Sequence, residues 1–183
     1  MEHVQWARDL AERLLAEPLP RRWAHTQGVG RKAESIAHIV GDDADLLICA
    51  AWLHDIGYAP NLVSTGFHPL DGARYLRDDQ QSGTPLCRLI ANHSGANVEA
   101  RHRGLAADLR AGFPPIDGLV ADALTYADMT TSPDGFPVTL DERIKEIHSR
   151  YPSHSVVTIS IAESANDLER TIQIVLSALN KSH

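Results

Sequence analysis

LLICAAWLHDIG, residues 46–57, is an almost wholly apolar segment that ends in an ionisable pair, His54 and Asp55. Its apolar residues cover nearly every side of a helix, which predicts a buried helix over residues 44–56. Asp42 and Asp43 are N-cap candidates, and Gly57 is expected to end the helix. The segment therefore predicts a core built around one central helix.

The rest of the chain shows helical periodicity and no alternating strand pattern. Apolar residues recur at helical spacing in segments that proline, glycine and serine turns separate. The predicted helices cover residues 2–16, 22–40, 44–56, 68–78, 84–93, 116–130, 140–150 and 155–180. An aromatic content of 5% leaves the core to aliphatic side chains, which favours helices over strands. The sequence predicts an all-α fold in a single domain over residues 1–183.

Three details of this assignment depend on individual residues. Gly41 is the expected C-cap of the second helix. Residues 94–114 contain three glycines and Pro114, and are predicted to be irregular. The last helix is expected to turn seven apolar residues inward: Ile159, Ala162, Leu168, Ile172, Val175, Leu176 and Leu179.

Composition argues against several classes of protein. The net charge is −7, opposite in sign to a nucleic-acid-binding surface. The longest apolar run, residues 46–53, is far shorter than the roughly 20 residues of a membrane-spanning helix. The charged residues 1–15 do not resemble a signal peptide, and Cys49 and Cys87 have no CxxC spacing. We expect a soluble, cytoplasmic protein that binds neither duplex nucleic acid nor membranes.

The pair at the end of the apolar segment is the first candidate for chemistry. His54 and Asp55 are costly to bury unless they are paired or bind a ligand. Asp55 also stands at the negative end of the helix dipole, where a carboxylate needs a positive partner such as a divalent cation. A hydrogen-bonded core histidine beside a helix-end aspartate explains the pair almost as well. The pair alone therefore favours a metal only slightly.

Two further residues occupy similar positions. His25 lies on the apolar side of the second predicted helix, beside Val29. Asp128 ends an apolar helix just before the turn at residues 132–135. Two histidines and two carboxylates form a plausible ligand set for Fe, Mn, Co, Ni or Zn. Each residue is a weak signal by itself, but together they predict a metal site.

The four residues form the pattern H…HD…D, and here the sequence resembles the HD-domain metal-dependent phosphohydrolases. The matching phrases are RRWAHTQGVG around His25, CAAWLHDIGY around His54 and Asp55, and LTYADMTTSPDG around Asp128. The resemblance covers roughly residues 20–150 and is closest to small bacterial HD proteins of the symmetrical dinucleoside-tetraphosphate hydrolase type. It implies an HD-domain helical bundle. The cyclic-dinucleotide phosphodiesterase branch fits less well, because a paired HH motif and a Gly-Tyr-Pro string are absent.

The resemblance also implies a second metal. Family members that hold two metals use a further pair of histidines between the HD pair and the last aspartate, and His68 and His93 occupy that interval. Otherwise His68 is an N-cap or loop residue and His93 a cation at a helix C-terminus. We favour two divalent ions per chain. The implied ligands form two groups that Asp55 bridges: His25, His54, Asp55 and Asp128 for one ion, and Asp55, His68 and His93 for the other.

Such a site implies hydrolysis of a phosphorylated small molecule of the nucleotide type, whether a phosphomonoester, a phosphoanhydride or a phosphodiester. Two metal ions would activate water and neutralise charge on the phosphoryl oxygens. The predicted catalytic residues are Asp55, His68 and Arg22. Arg22 is the first candidate for binding phosphate and Arg74 the second, although each is otherwise an ordinary surface arginine.

The sequence also predicts roles or positions for three other polar residues. Asp71, three residues after His68, could orient that imidazole as a hydrogen-bond acceptor, or could be a solvated helix residue. His102 could reach the site as a proton donor, although a surface position is the better prediction. His38 lies about 220° around the second helix from His25 and is expected to face elsewhere.

Two other functions are compatible with this reading. Some HD-type proteins hold a mixed-valent di-iron pair with the same six ligands and oxidise a small molecule with O2. A non-catalytic metal- or nucleotide-binding module is the third possibility. The long last helix could pair with a copy of itself, which would make the protein a homodimer.

Overall fold

The computed structural model describes residues 2–182, and this part of the chain forms ten α-helices. Residues 1 and 183, the two ends of the predicted single domain over residues 1–183, lie outside the described part. Short 3-10 helices cover Ala37–Asp43, Ile56–Tyr58 and His93–Gly95. The α-helices are α1 Glu2–Leu15, α2 Pro20–Ile36, α3 Ala44–Leu53, α4 His68–Asp78, α5 Thr84–Asn92, α6 Ala96–His102, α7 Ala106–Gly112, α8 Leu119–Met129, α9 Leu140–Arg150 and α10 Val156–Lys181. The all-α prediction is confirmed.

The apolar segment forms the centre of the main core. Helix α3 packs against α1, α2, α5 and α8, and it buries Leu47, Ala50 and Leu53 completely. The helix ends at Leu53, earlier than predicted, so that His54 is its C-cap and Asp55 lies in the turn that follows. The burial of residues 49–53, at the end of α3, fixes the position from which these two side chains project.

The last helix extends along the bundle and joins it to a second, smaller core. Helix α10 packs against α6, α8 and α9. Leu168, Ile172 and Val175 are buried as predicted, and Leu179 packs partly against the main core. Three other residues of the predicted inward set, Ile159, Ala162 and Leu176, are exposed.

For Ile159 and Ala162 the reason lies in the N-terminal half of α10, where small hydroxyl residues take the inward positions. Thr158, Ser160 and Ser164 are buried. A Cβ on Gly95 would lie 2.9 Å from the Ser164 hydroxyl oxygen, so the two backbones approach closely there. Apolar periodicity misses a helix face whose packing depends on small residues.

The prediction that residues 94–114 are irregular is wrong, because α6 and α7 lie within this segment. Gly95 and Gly104 have positive φ values of 80° and 73°, and they separate short helices instead of disrupting structure. Each helix is seven residues long, which is too short to show a clear apolar periodicity. The predicted C-cap of α2 also shifts: α2 ends at Ile36, and Gly41 lies within the following 3-10 segment.

A glycine brings the turn after α3 against the start of α4. A Cβ on Gly57 would lie 2.1 Å from the His68 carbonyl oxygen and 2.7 Å from the Gly72 nitrogen. Only a residue without a side chain permits this approach, which sets His68 beside the turn that carries Asp55.

Among the described helices, none is both long and apolar enough to cross a bilayer.

We predict that Gly57→Ala lowers the free energy of unfolding by about 1–3 kcal/mol, because the added methyl group overpacks two backbones. Urea denaturation measures this change. Gly112→Ala is the matched control, since its Cβ would meet only the mobile end of Arg77 at 3.6 Å. An equal loss of stability in both variants would contradict the close approach.

Candidate metal centre

The structure brings together all six residues that the sequence predicts as metal ligands. His25, His54, Asp55, His93 and Asp128 are at most 6% exposed. The side chain of His68 is 15% exposed. The ligand atoms form two groups, and within each group they lie within 4.8 Å of one another. The groups are His25, His54 and Asp128, and Asp55, His68 and His93.

Asp55 lies between the two groups. Its Oδ2 atom is 3.3 Å from His54 Nε2 and 3.8 Å from His25 Nε2, whereas its Oδ1 atom is 3.4 Å from His68 Nε2. One carboxylate therefore presents an oxygen to each group. This is the arrangement that a bridging ligand between two cations requires.

Backbone hydrogen bonds determine which nitrogen of three histidines faces inward. Nδ1 donates to Ser132 O in His25 (2.9 Å), to Ala51 O in His54 (2.8 Å) and to Ile90 O in His93 (2.6 Å). A carbonyl oxygen can only accept, so Nδ1 of each neutral imidazole carries the proton. The lone pair is then on Nε2, where a metal ligand needs it.

Close backbone packing holds the turn that fixes His25. A Cβ on Gly28 would lie 2.6 Å from Gly135 Cα, and a Cβ on Gly135 would lie 2.2 Å from Ala24 O. Gly135 also has a φ of 82°, which favours glycine. The turn at residues 132–135 therefore sits directly on α2 and offers the Ser132 carbonyl to the imidazole.

Asp128 faces His25 and accepts a hydrogen bond from Ser94. It lies one residue before the end of α8, and its Oδ1 atom is 3.0 Å from His25 Nε2. The Ser94 hydroxyl donates to its other oxygen. Ser94 has a φ of 48°, a left-handed conformation that is uncommon outside glycine and is found often at functional sites.

A stack of three side chains orients His68. The centroids of the Tyr58 and His68 rings lie 4.0 Å apart, at an interplanar angle of 16°. The Cζ atom of Arg22 lies 4.1 Å from the centroid of the Tyr58 ring. Arg22 Nη1 also donates to Asp55 Oδ2 at 2.8 Å. Arg22 therefore contacts both the Asp55 carboxylate and the Tyr58 ring that stacks on His68.

The charges in the centre fit a bound cation. Burial works to raise the pKa of Asp55, but Arg22 and His54 outweigh it and hold this pKa well below the usual range. Burial likewise works to raise the pKa of Asp128, but the neighbouring His25 and His54 outweigh it and lower this pKa. Both carboxylates are therefore ionised, and Arg22 is the one arginine or lysine that forms an ion pair with either of them in the described structure.

The imidazoles of the centre also fit a bound cation. His54 Nε2 is buried and has no hydrogen-bond partner within residues 2–182, although it faces two carboxylates. Burial lowers the pKa of both His68 and His93, which keeps these rings neutral. Neutral imidazole nitrogens and ionised carboxylates are the ligands that first-row divalent metals accept. The donor set therefore fits metal binding.

A small cavity of about 80 Å³ opens onto the centre. Asp55, His68, His93 and Asp128 line it, together with side chains from α9, α10 and the segment between them. Sequence reasoning missed six of its polar lining residues: Tyr58, Ser94, Glu99, Arg143, Arg150 and Tyr151. Tyr58 directly follows the HDIG segment and could have been noticed. The arginines of α9 look like an ordinary solvated helix face in the sequence.

The structure also places Asp71, Arg74 and His102, whose roles the sequence left open. Asp71 does not orient His68, because its carboxylate instead accepts hydrogen bonds from the backbone N–H groups of residues 64–66. Arg74 pairs with Asp108 at 3.5 Å and does not line the cavity. His102 lies near the surface, 2.8 Å from Glu163, as the sequence favoured.

We predict that the metal-free protein loses stability when the pH falls from about 7 to 5. The pKa values of His68 and His93 are lowered in the folded state, so below about pH 6.5 these residues bind protons mainly in the unfolded chain. Acid favours the state that binds more protons, and the free energy of unfolding therefore falls with pH. The aspartates, with lowered pKa values, lose their contribution only below about pH 4.

His54 opposes this trend in part, because Asp55 and Asp128 raise its pKa despite its burial. A raised pKa adds stability below about pH 6.5 that is lost as the pH rises. Urea titrations in chelator at a series of pH values measure the slope. We expect a flatter slope for the His68→Gln/His93→Gln double variant and an unchanged slope for His38→Gln. An unchanged slope in the double variant would refute the prediction.

Comparison with known protein families gives one match. Residues 22–124 match the model of the HD domain, more than half of the chain. The matched region contains five of the six predicted ligands and ends four residues before Asp128. Comparison with curated proteins and with solved structures gave no significant match. The extent of the family match shows that the chain belongs to the HD domain family.

Proposed function

We propose that this protein is a metal-dependent phosphohydrolase with a dinuclear centre. The observation that carries the proposal is the position of Asp55 between two groups of ligand atoms. His25, His54 and Asp128 would hold one divalent ion, His68 and His93 would hold the other, and Asp55 would offer one oxygen to each. HD domains are in general metal-dependent phosphohydrolases, which supports the same reaction class.

The metal ions, when bound, supply an activated water nucleophile and neutralise charge on the phosphoryl oxygens. The protein supplies the rest of the site. Backbone carbonyls fix three imidazoles, and Tyr58 fixes the fourth. Arg22 holds Asp55 in place and adds positive charge at the edge of the cavity. Met129, Ile147 and Val157 line the cavity and limit the access of water.

Hydrolysis is favoured over oxidation by the basic side chains around the cavity. Arg22, Arg143 and Arg150 all line it, and guanidinium groups bind phosphate oxygens well. Oxidation of an uncharged small molecule would not need them. We propose a phosphorylated, nucleotide-type substrate, with symmetrical dinucleoside tetraphosphates among the first compounds to examine.

We predict that protein loaded with Mn, Fe, Co, Ni or Zn releases phosphate from at least one member of a panel of nucleotides and phosphomonoesters, and does so without O2. Asp128→Asn should lower kcat/KM by more than about 100-fold, beyond the loss typical of residues that only orient a ligand. Phosphate release measured under argon and in air tests this. His38→Gln, which removes an exposed histidine elsewhere on the bundle, is the control.

Two results would contradict the proposal. Substrate consumption that requires O2 would identify an oxygenase with the same ligands. Tight nucleotide binding without turnover, with every metal in the series, would identify a binding module.

A further inference from the structure

Arg143 is a buried cation in the wall of the cavity. It lies on α9, is 5% exposed and lines the cavity of the candidate metal centre. Its Nη1 donates to Glu146 at 2.6 Å, but its buried Nε has no hydrogen-bond partner among the described residues. A buried N–H without an acceptor is costly, so an acceptor from a ligand is expected there.

Glu146 is shared between two arginines. Its Oε2 atom accepts from Arg143, and its Oε1 atom lies 3.4 Å from Arg150 Nε. One carboxylate faces two guanidinium groups, so Arg143 and Arg150 together carry one positive charge more than Glu146 balances. The side chain of Glu146 is 26% exposed, so it can move aside more easily than the buried Arg143.

The chemistry and size of the cavity indicate which ligand fits. Guanidinium groups present paired N–H donors that match the oxygens of phosphate. The cavity volume, about 80 Å³, is well below the roughly 300–1,000 Å³ of pockets that enclose a drug-sized molecule. A phosphate group is therefore the part of a substrate best suited to enter, while the remainder must lie outside.

A neighbouring groove can accept that remainder. It has a volume of about 310 Å³ and shares Arg22 and Arg150 with the cavity. Pro20 and Pro133 contribute apolar surface to it. The groove and the cavity thus meet at two arginines.

We propose that Arg143 and Arg150 form a phosphate-binding subsite on the α9 side of the cavity, and that Glu146 competes with phosphate for their guanidinium groups. The substrate is then a phosphate ester or anhydride whose phosphate enters the cavity and whose organic part lies in the groove. This assignment rests on the proposed phosphohydrolase function.

Calorimetric titration with inorganic phosphate, of both metal-free and Mn-loaded protein, tests the subsite. Arg143→Gln should raise the dissociation constant by about ten-fold or more, because a charged hydrogen-bond donor is lost. Arg143→Lys should lie between this variant and the wild type, since it keeps the charge without the paired donors. Glu146→Gln should lower the dissociation constant, because a competing carboxylate is removed.

The opposite effects of the two changes are the decisive result. If the Arg143–Glu146 pair only stabilised the wall, breaking it from either side would weaken phosphate binding in both variants. Arg170→Gln, which removes a 69% exposed cation from α10, should have no effect and controls for net charge. Circular dichroism verifies folding, and the exposed edge of Glu146 makes Glu146→Gln informative even if Arg143→Gln misfolds.

The subsite is refuted if the wild type binds no phosphate in either form, or if Glu146→Gln weakens binding. Failure of the phosphohydrolase proposal is a separate result. Phosphate binding with these variant effects but without turnover would leave the subsite standing and remove the reaction. Turnover together with unchanged phosphate affinity in Arg143→Gln would refute the subsite and leave the phosphohydrolase proposal standing.

Discussion

The rest of the structure depends on the burial of two ionised carboxylates, Asp55 and Asp128, at the centre of a helical bundle. Buried charge is tolerated only when it is compensated. Arg22 supplies one positive charge through a 2.8 Å hydrogen bond to Asp55. The four imidazoles around the carboxylates supply lone pairs, and backbone acceptors fix the inward nitrogen of three of them. Two divalent cations would complete the compensation, which is why the centre is interpreted as dinuclear.

The fold meets this constraint by placing five of the six ligands at or near helix ends. His54 caps α3 and Asp55 directly follows it, His68 begins α4, His93 caps α5 and Asp128 lies near the end of α8. Helix ends allow side chains from separate helices to converge where the helix axes themselves could not. His25 is the exception within α2, and the glycine-mediated contact with residues 132–135 positions it.

Much of this arrangement could be predicted from the sequence, because the ligands lie in strongly patterned contexts. The apolar segment before His54 identified the central helix, and the H…HD…D pattern predicted which side chains would converge. What could not be predicted depends on tertiary packing. Residues 94–114 form helices too short to show periodicity. Asp71 accepts hydrogen bonds from the backbone N–H groups of residues 64–66, a loop contact that its spacing from His68 in the sequence does not reveal.

The arginines of the cavity illustrate the same limit. Arg143 lies in the strongly charged helix LDERIKEIHSR, where nothing distinguishes it from its solvated neighbours. It becomes functionally interesting only because α9 and α10 fold over the centre and bury it. The local sequence therefore indicates ligands that lie next to apolar helices. It does not indicate the cavity-lining residues that helices later in the chain contribute.

Metal content per chain tests the central claim most directly. Elemental analysis of untagged protein, purified without added metal or chelator, should find about two first-row ions per chain. The same analysis of the His68→Gln/His93→Gln double variant should find about one, while His38→Gln should retain about two. No bound metal even after anaerobic reconstitution, or two ions retained by the double variant, would contradict a dinuclear centre bridged by Asp55.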